Sequence, residues 1–244
     1  MARARIGCSG WTYDDWVGVL YPPALPKAKW RDAYAAEFET VELNASFYRW
    51  PGTKRFEQWG RVLPHDFRMS VKAANWITHR RRLRDPDGAW ARRLHDAWQA
   101  LGDHRAPVLL QLHPDLERDD ALLEEFLGRL DRRMDVAVEF RHDSWQTEEV
   151  YRLLEKHGAA YVVMSGARLP CVLRATAPFV YVRLHGPDHD HLYGGSYSDD
   201  DLRWWADRMR EWSDGGHDVL AYFNNDGGGN AVRNARTLRW LLGT

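Results

Sequence analysis

Eight short runs with strand character recur along the chain, at 4–8, 40–44, 67–72, 107–113, 135–141, 160–165, 179–185 and 218–224. Helical patterns separate nearly all of them. Parallel strands need a crossover of a dozen or more residues, so this alternation restricts the fold more than any single motif does. The spacing predicts helices over 27–37 and 53–62, and a longer one capped by Asp87 with a buried stripe of Trp90, Leu94, Ala97, Trp98 and Leu101. Further helices are expected over Asp119–Leu130, over Thr147–His157 with Gly158 as C-cap, over 199–213 behind Ser198, and from Asn230 to Leu242. The segment 166–177 is too short and too proline-broken for a full helix. No Ser/Gly-rich linker interrupts the series, so residues 1–244 read as a single domain. Eight βα units in this length point to an α/β fold, a single (β/α)8 TIM-type barrel of eight parallel strands with helices outside. A doubly wound open sheet needs no eighth strand and often carries a glycine-rich fingerprint after strand one, which is absent here.

Side-chain parity locates a site on this frame. In 135–141, Val136, Val138 and Phe140 share one face, and Ala137, Glu139 and Arg141 the other. The same division sets Val41 and Leu43 against Glu42 and Asn44, and Met69 and Val71 against Arg68, Ser70 and Lys72. It sets Leu110 and Leu112 against Gln111 and His113, and Val180, Val182 and Leu184 against Tyr181, Arg183 and His185. On strand eight, Val219, Ala221 and Phe223 oppose Leu220, Tyr222 and Asn224, while strands one and six end on Ser9 and Ser165. Helices cover the outside of a barrel, so the apolar face should point outward. The polar residues then gather inward at C-terminal strand ends, where barrel enzymes keep their chemistry.

Composition excludes several classes. A formal charge of −1 gives no general field for nucleic acid. The basic run His79-Arg80-Arg81-Arg82 reads as a solvated loop. Two cysteines, Cys8 and Cys171, form no disulfide framework and fit a reducing cytosol. The start of the chain lacks the apolar stretch of a signal peptide, and no apolar run approaches the roughly 18–20 residues of a membrane span. A cytoplasmic protein without membrane contact is the expectation. Of the 13 tryptophans, eight fall in helical stretches where packing is the default, whereas Trp11, Trp50, Trp76 and Trp145 follow strands.

The chain resembles the YecE-like family, a domain of unknown function numbered 72. The resemblance is carried by Gly7-Cys8-Ser9-Gly10-Trp11 with Tyr13, Trp16 and Tyr21-Pro22, and by Val41-Glu42-Leu43-Asn44 with Ser46-Phe47-Tyr48-Arg49 and Pro51. Lys72 with Thr78-His79, Gln111-Leu112, Glu139-Phe140-Arg141, Ser144-Trp145, Tyr181 to Gly186 and Tyr222-Phe223-Asn224-Asn225 complete it. Cys8 stands where Thr or Ser is commoner, and Asp115 replaces a second proline-like turn position. The resemblance implies a TIM-type barrel and no established activity, so chemistry has to come from the residues.

Glu42 and Glu139 could divide acid and base roles, with Lys72 and His185 as further catalytic candidates for a hydrolase, lyase or isomerase. Against this stands the plain alternative that Glu139–Arg183 and Glu42–Lys72 or Glu42–Arg141 ion pairs merely neutralise a polar interior. Asn44, Gln111, Arg141, Arg183, Asn224 and Asn225, with Trp11, Tyr48 and Trp145 on the rim, are the candidate ligand contacts. Cationic candidates outnumber the acids, so a small anionic ligand of phosphate or carboxylate type is expected, helped by backbone N–H groups of the Gly227–Gly229 turn. Asp226 works against phosphate at that turn. A second function class is a nucleic-acid-binding module, holding single-stranded or damaged strands on the aromatic and basic rim. A third is a metal-dependent hydrolase or isomerase using His113, His185 and the glutamates, or Asp188-His189-Asp190-His191. Lys72, Arg141 and Arg183 oppose a dication there, so no metal or other cofactor is expected.

Overall fold

A computed structural model describes residues 2–244. The strands are β1 (Ala4–Ser9), β2 (Thr40–Leu43), β3 (Arg68–Lys72), β4 (Arg105–Gln111), β5 (Val136–Glu139), β6 (Ala160–Ser165), β7 (Phe179–Leu184) and β8 (Asp218–Phe223). They close into a barrel in sequence order, and the described pairings are parallel. The helices are α1 (Trp30–Glu37), α2 (Ala45–Tyr48), α3 (Thr53–Val62), α4 (Ala89–Ala100), α5 (Asp120–Gly128), α6 (Glu148–His157), α7 (Asp199–Asp214) and α8 (Asn230–Leu242). The sequence reading misses α2, whose single turn is too short to show a period. It places the others within a few residues.

Local chemistry explains most helix ends. Asp119 and Thr147 accept the N–H of Leu122 and Val150, and Ser198 forms a capping box with Asp201. Gly158, at φ 64, closes α6. One expected cap differs. The N-cap of α4 is Gly88, and its free N–H groups go instead to two acids. Asp87 takes Ala89 at 3.2 Å, and buried Asp85 takes Trp90 and Ala91 at 3.1 and 2.9 Å. The N-cap of α8 is Gly229 at φ 76, and Asn230 is the first helical residue.

The chain divides into two compact units whose boundaries fall inside β2 and β6. The first comprises the stretch ending at Glu42 with Val163–Arg174 and Pro178–Thr244, and the second Leu43–Val162 with Ala175–Ala177. In the first, Cys8, Val182, Val219, Ala221 and Phe223 are buried with Ala235 and Leu238 of α8. Tyr21 stacks on Trp30 at 4.5 Å, and Trp16 on Tyr34 at 6.1 Å. In the second, Val71, Leu110, Val138 and Phe140 are buried with Phe56, Leu94, Leu123 and Phe126 from the helices. Each such side chain contributes about 1.5–3 kcal/mol on burial. The stripe Trp90, Leu94, Ala97, Trp98 and Leu101 is buried as its spacing requires.

Candidate functional site

The polar parity of the strands produces two clusters, one in each unit. In the first unit Glu42, at the end of β2, is fully buried. Its carboxylate accepts Arg183 Nε at 2.9 Å and Nη2 at 2.7 Å, Tyr181 Oη at 2.8 Å and Ser9 Oγ at 2.5 Å. A carboxylate offers about four lone-pair positions, so these donors saturate it. Arg183 is equally buried, which makes this a closed, bidentate ion pair. Gly10 supports the cluster. Its N–H donates to Glu42 O at 2.8 Å, and at φ 103 an added Cβ would lie 2.8 Å from the Tyr13 ring.

The end of β7 meets the end of β8 through side chains. His185 is fully buried, and Asn224 Nδ2 lies 3.2 Å from its Nδ1. Gly186 follows at φ 101, with Gly194 O only 2.1 Å from where a Cβ would be. Asn225 gives its amide N–H groups to Gly195 O and Asn234 Oδ1 at 2.9 Å each, which braces the loop at Gly195 against α8.

The glycine turn after β8 is not the open anion cradle expected of it. Gly228 N–H already donates to Asp15 Oδ2 at 3.2 Å, and Gly229 N–H to Asp226 O at 3.0 Å. A carboxylate of the chain stands where a phosphate would have to sit. Asp226 itself, expected only to repel such an anion, is an acid whose carboxyl is pushed up to about 8. Burial is the main cause, and Glu42 and Asp15 add to it.

In the second unit the cluster lies at the ends of β3, β4 and β5. Glu139 is fully buried and accepts Gln111 Nε2 at 2.6 Å and Arg141 Nε. Register places Gln111 directly beside Glu139. Lys72 sits with its Nζ 4.2 Å from the centre of the Phe47 ring. The Phe47 ring meets His79 edge-on at 4.9 Å, and His79 meets His113 at 5.1 Å. The Ser46 hydroxyl, 2.7 Å from Leu43 O and 2.6 Å from Lys72 O, ties α2 to the end of β3. Asn44 precedes α2, and its Oδ1 is buried without a partner.

His79 corrects the reading of 79–82 as a plain solvated loop. Residues Trp76–Arg80 form one π-helical turn, a form frequent at functional sites. That turn brings His79 against Thr78 Oγ1 at 3.0 Å. Burial first, then His113, Lys72 and Arg141, lower its imidazole to about 4, so it is neutral at pH 7. His113 Nδ1 accepts the backbone N–H of Asp115 at 3.0 Å. Parity pointed to His113 and Lys72, whereas His79 stood out only with Thr78 among the residues that carry the family resemblance.

The expected aromatic rim divides. Trp145 is fully buried, stacked on Phe140 at 4.8 Å with its Nε1 on Leu116 O. Trp11 is also buried, edge-on to Tyr34. Both belong to the core, Trp145 against Phe140 and Trp11 against Tyr34. Tyr48 and Trp76 stay exposed, at 74% and 42%. Among the described residues, no three His, Cys, Asp or Glu side chains are grouped so as to hold a metal ion. No helix among them is long and apolar enough to cross a membrane.

A family model described as "Protein of unknown function DUF72" matches residues 5–244. The UPF0759 protein YunF of Bacillus subtilis is 28% identical over 268 residues, covering 97% of this chain and 94% of its own length. The crystal structure of a DUF72 family protein of Thermotoga maritima superposes with a TM-score of 0.84 at 28% identity, covering 99% of this chain and all of that one. One from Enterococcus faecalis gives 0.85 at 17% identity, over 99% of this chain and 96% of that one, a likeness of fold alone.

Proposed function

The chain belongs to the DUF72 family, and on that premise we propose that it binds a small anionic ligand, of phosphate or carboxylate type, at the ends of β3, β4 and β5. The observation that carries this reading is the charge around His79. Lys72 and Arg141 supply two cations there against the one carboxylate of Glu139, and with burial and His113 they suppress protonation of the imidazole. Glu139 orients Arg141 and Gln111 rather than cancelling both cations. Each charge-assisted hydrogen bond to an anion contributes about 1.5–3 kcal/mol.

Acid–base work, if the ligand is turned over, falls to this cluster too. A neutral imidazole at His79 can take up a proton beside an anion, with Glu139 and Lys72 as its charged neighbours. Glu42 is a poor base because its acceptor positions are filled, and it serves to hold Arg183.

Calorimetric titration with inorganic phosphate tests the binding. Lys72→Met and Arg141→Met should each weaken it by about tenfold or more. Binding that survives both changes sinks the reading. A second reading, a rim for single-stranded nucleic acid, is favoured by one observation: the Arg80 and Arg81 guanidiniums lie 5.5 and 5.9 Å from the ring of exposed Trp76. Oligonucleotide binding with a steep salt dependence, lost in Trp76→Ala, would favour it.

A further inference from the structure

The stretch from the π-helical turn into α4 gathers six cations without an ion-pair partner. Residues 80–93 hold Arg80, Arg81, Arg82, Arg84, Arg92 and Arg93 against Asp85 and Asp87. Arg82 is half-buried and the other five arginines are exposed. Among the described residues, none of the six pairs with a carboxylate, whereas neighbouring Arg129 holds Glu125 at 2.6 Å. The two aspartates are committed to the N–H groups that open α4, Asp85 to Trp90 and Ala91 and Asp87 to Ala89. In a chain of net charge −1 this is a local positive field.

The loop is held in place. Arg82 and Leu83 both take left-handed backbone, at φ 48 and 64, which is uncommon outside glycine. Leu83 is buried, its N–H donates to Ile77 O at 2.8 Å, and Arg84 N–H donates to Arg81 O at 2.9 Å. Backbone strain that the surroundings maintain in this way clusters at functional segments. There is room for a ligand beside it. One groove of about 350 Å³ is lined by this loop with Trp76 and Arg93, and another of about 310 Å³ by the loop with Phe126 and Arg129. Arg81 and Arg84 line both, so the two grooves adjoin across them.

We propose that this loop binds a linear polyphosphate group, free or carried by a nucleotide. Guanidiniums match phosphate oxygens in paired hydrogen bonds, and consecutive phosphates supply the charge density that several arginines on one loop call for. A single strand of nucleic acid fits less well. Its sugars space the charges and each phosphate brings a base, while the ring faces here are occupied. Arg80 and Arg81 lie over Trp76, and Trp90 has Arg93 over it at 4.9 Å and Trp50 edge-on at 5.9 Å. The site uses none of Lys72, Glu139 or Arg141, so it is separate from the anion site at β3–β5.

Titration of the full chain with inorganic tripolyphosphate tests the proposal, in the parent chain and in Arg84→Gln, Arg93→Gln, their double variant and Arg141→Met. Each glutamine should weaken binding about fivefold and the pair at least about twentyfold, with Arg141→Met keeping this site. Raising sodium chloride from about 50 to about 200 mM should weaken the parent about tenfold or more. Should a glutamine variant fail to fold, Arg84→Lys keeps the charge without the paired geometry and should lose about threefold. Adenosine triphosphate bound more tightly than tripolyphosphate assigns the group to a nucleotide, and the reverse assigns the free chain. The proposal is overturned if tripolyphosphate fails to bind, binds no more tightly than orthophosphate, or binds the double variant as well as the parent. Loss in Arg141→Met alone overturns it by placing the ligand at β3–β5. A single-stranded oligonucleotide bound more tightly than tripolyphosphate, and lost in Trp76→Ala, overturns it in favour of nucleic acid.

Discussion

Two glutamate–arginine pairs stand at strand ends in this barrel, and they differ in almost everything but composition. Glu42 and Arg183 are far apart in sequence and have no exposed side-chain surface. Ser9 and Tyr181 complete the carboxylate, leaving a closed and neutral unit. Glu139 and Arg141 are neighbours on one face of a single strand end, and the Arg141 side chain keeps 9% of its surface. Around them stand Lys72, Gln111, the neutral imidazole of His79 and the ring of His113. Lone-pair saturation and local net charge, more than residue type, decide which carboxylate can take part in chemistry. The first pair is suited to fixing β2 against β7, the second to meeting a ligand.

The sharpest way to break this contrast is to remove one cation from each pair. Arg183→Met strands a buried carboxylate and should lower stability by about 3–5 kcal/mol in chemical denaturation. Adding Glu42→Gln should restore a large part of that loss. Arg141→Met, at a site with some solvent contact, should lower stability by only about 1–2 kcal/mol. Equal losses at the two sites would erase the distinction.

Asp226 supplies the next largest effect. Its folded carboxyl at about 8, against an ordinary 3.8, favours the protonated folded form. That contribution is complete below the ordinary value and is lost as pH rises through the folded one. Asp226→Asn has nothing to lose, so relative to the parent chain it should gain stability between those values, reaching about 2 kcal/mol at pH 9 after allowance for partial solvent contact. Thermal melts across that range check it, and a pH-independent difference would contradict the assignment.

Much of this was legible in the chain before its structure. Alternation along strands such as 135–141 shows which residues share a face, but not which of them pair: Arg183, expected on Glu139, bonds Glu42, and Glu139 takes Arg141 and Gln111 instead. Saturation was not legible, because the four donors to Glu42 come from β1 and β7 and no local pattern counts them. Nor was the raised carboxyl of Asp226, which comes first from burial and then from Glu42 and Asp15. Trp11 and Trp145 follow strands as rim residues do, yet burial depends on where the loop turns next.

A smaller effect should come from His79. Its imidazole, lowered from 6.5 to about 4, resists protonation in the folded state. The stability this contributes is present above the ordinary value and is lost as pH falls through the folded one. Screening at this half-buried position reduces the loss to on the order of 1 kcal/mol. His79→Gln should flatten the stability curve over pH 6.5 to 4. A curve unchanged by the substitution would place the charge of Lys72 and Arg141 elsewhere.

The most direct test of the contrast is a crystal of the full chain soaked in selenate at neutral pH, with the anion located by anomalous scattering. The expected result is a selenium peak with its oxygens in hydrogen-bond reach of Lys72 Nζ and the Arg141 guanidinium, absent in Arg141→Met, and no peak at Arg183. A peak on Arg183, or only water beside Lys72 and Arg141, would contradict the account.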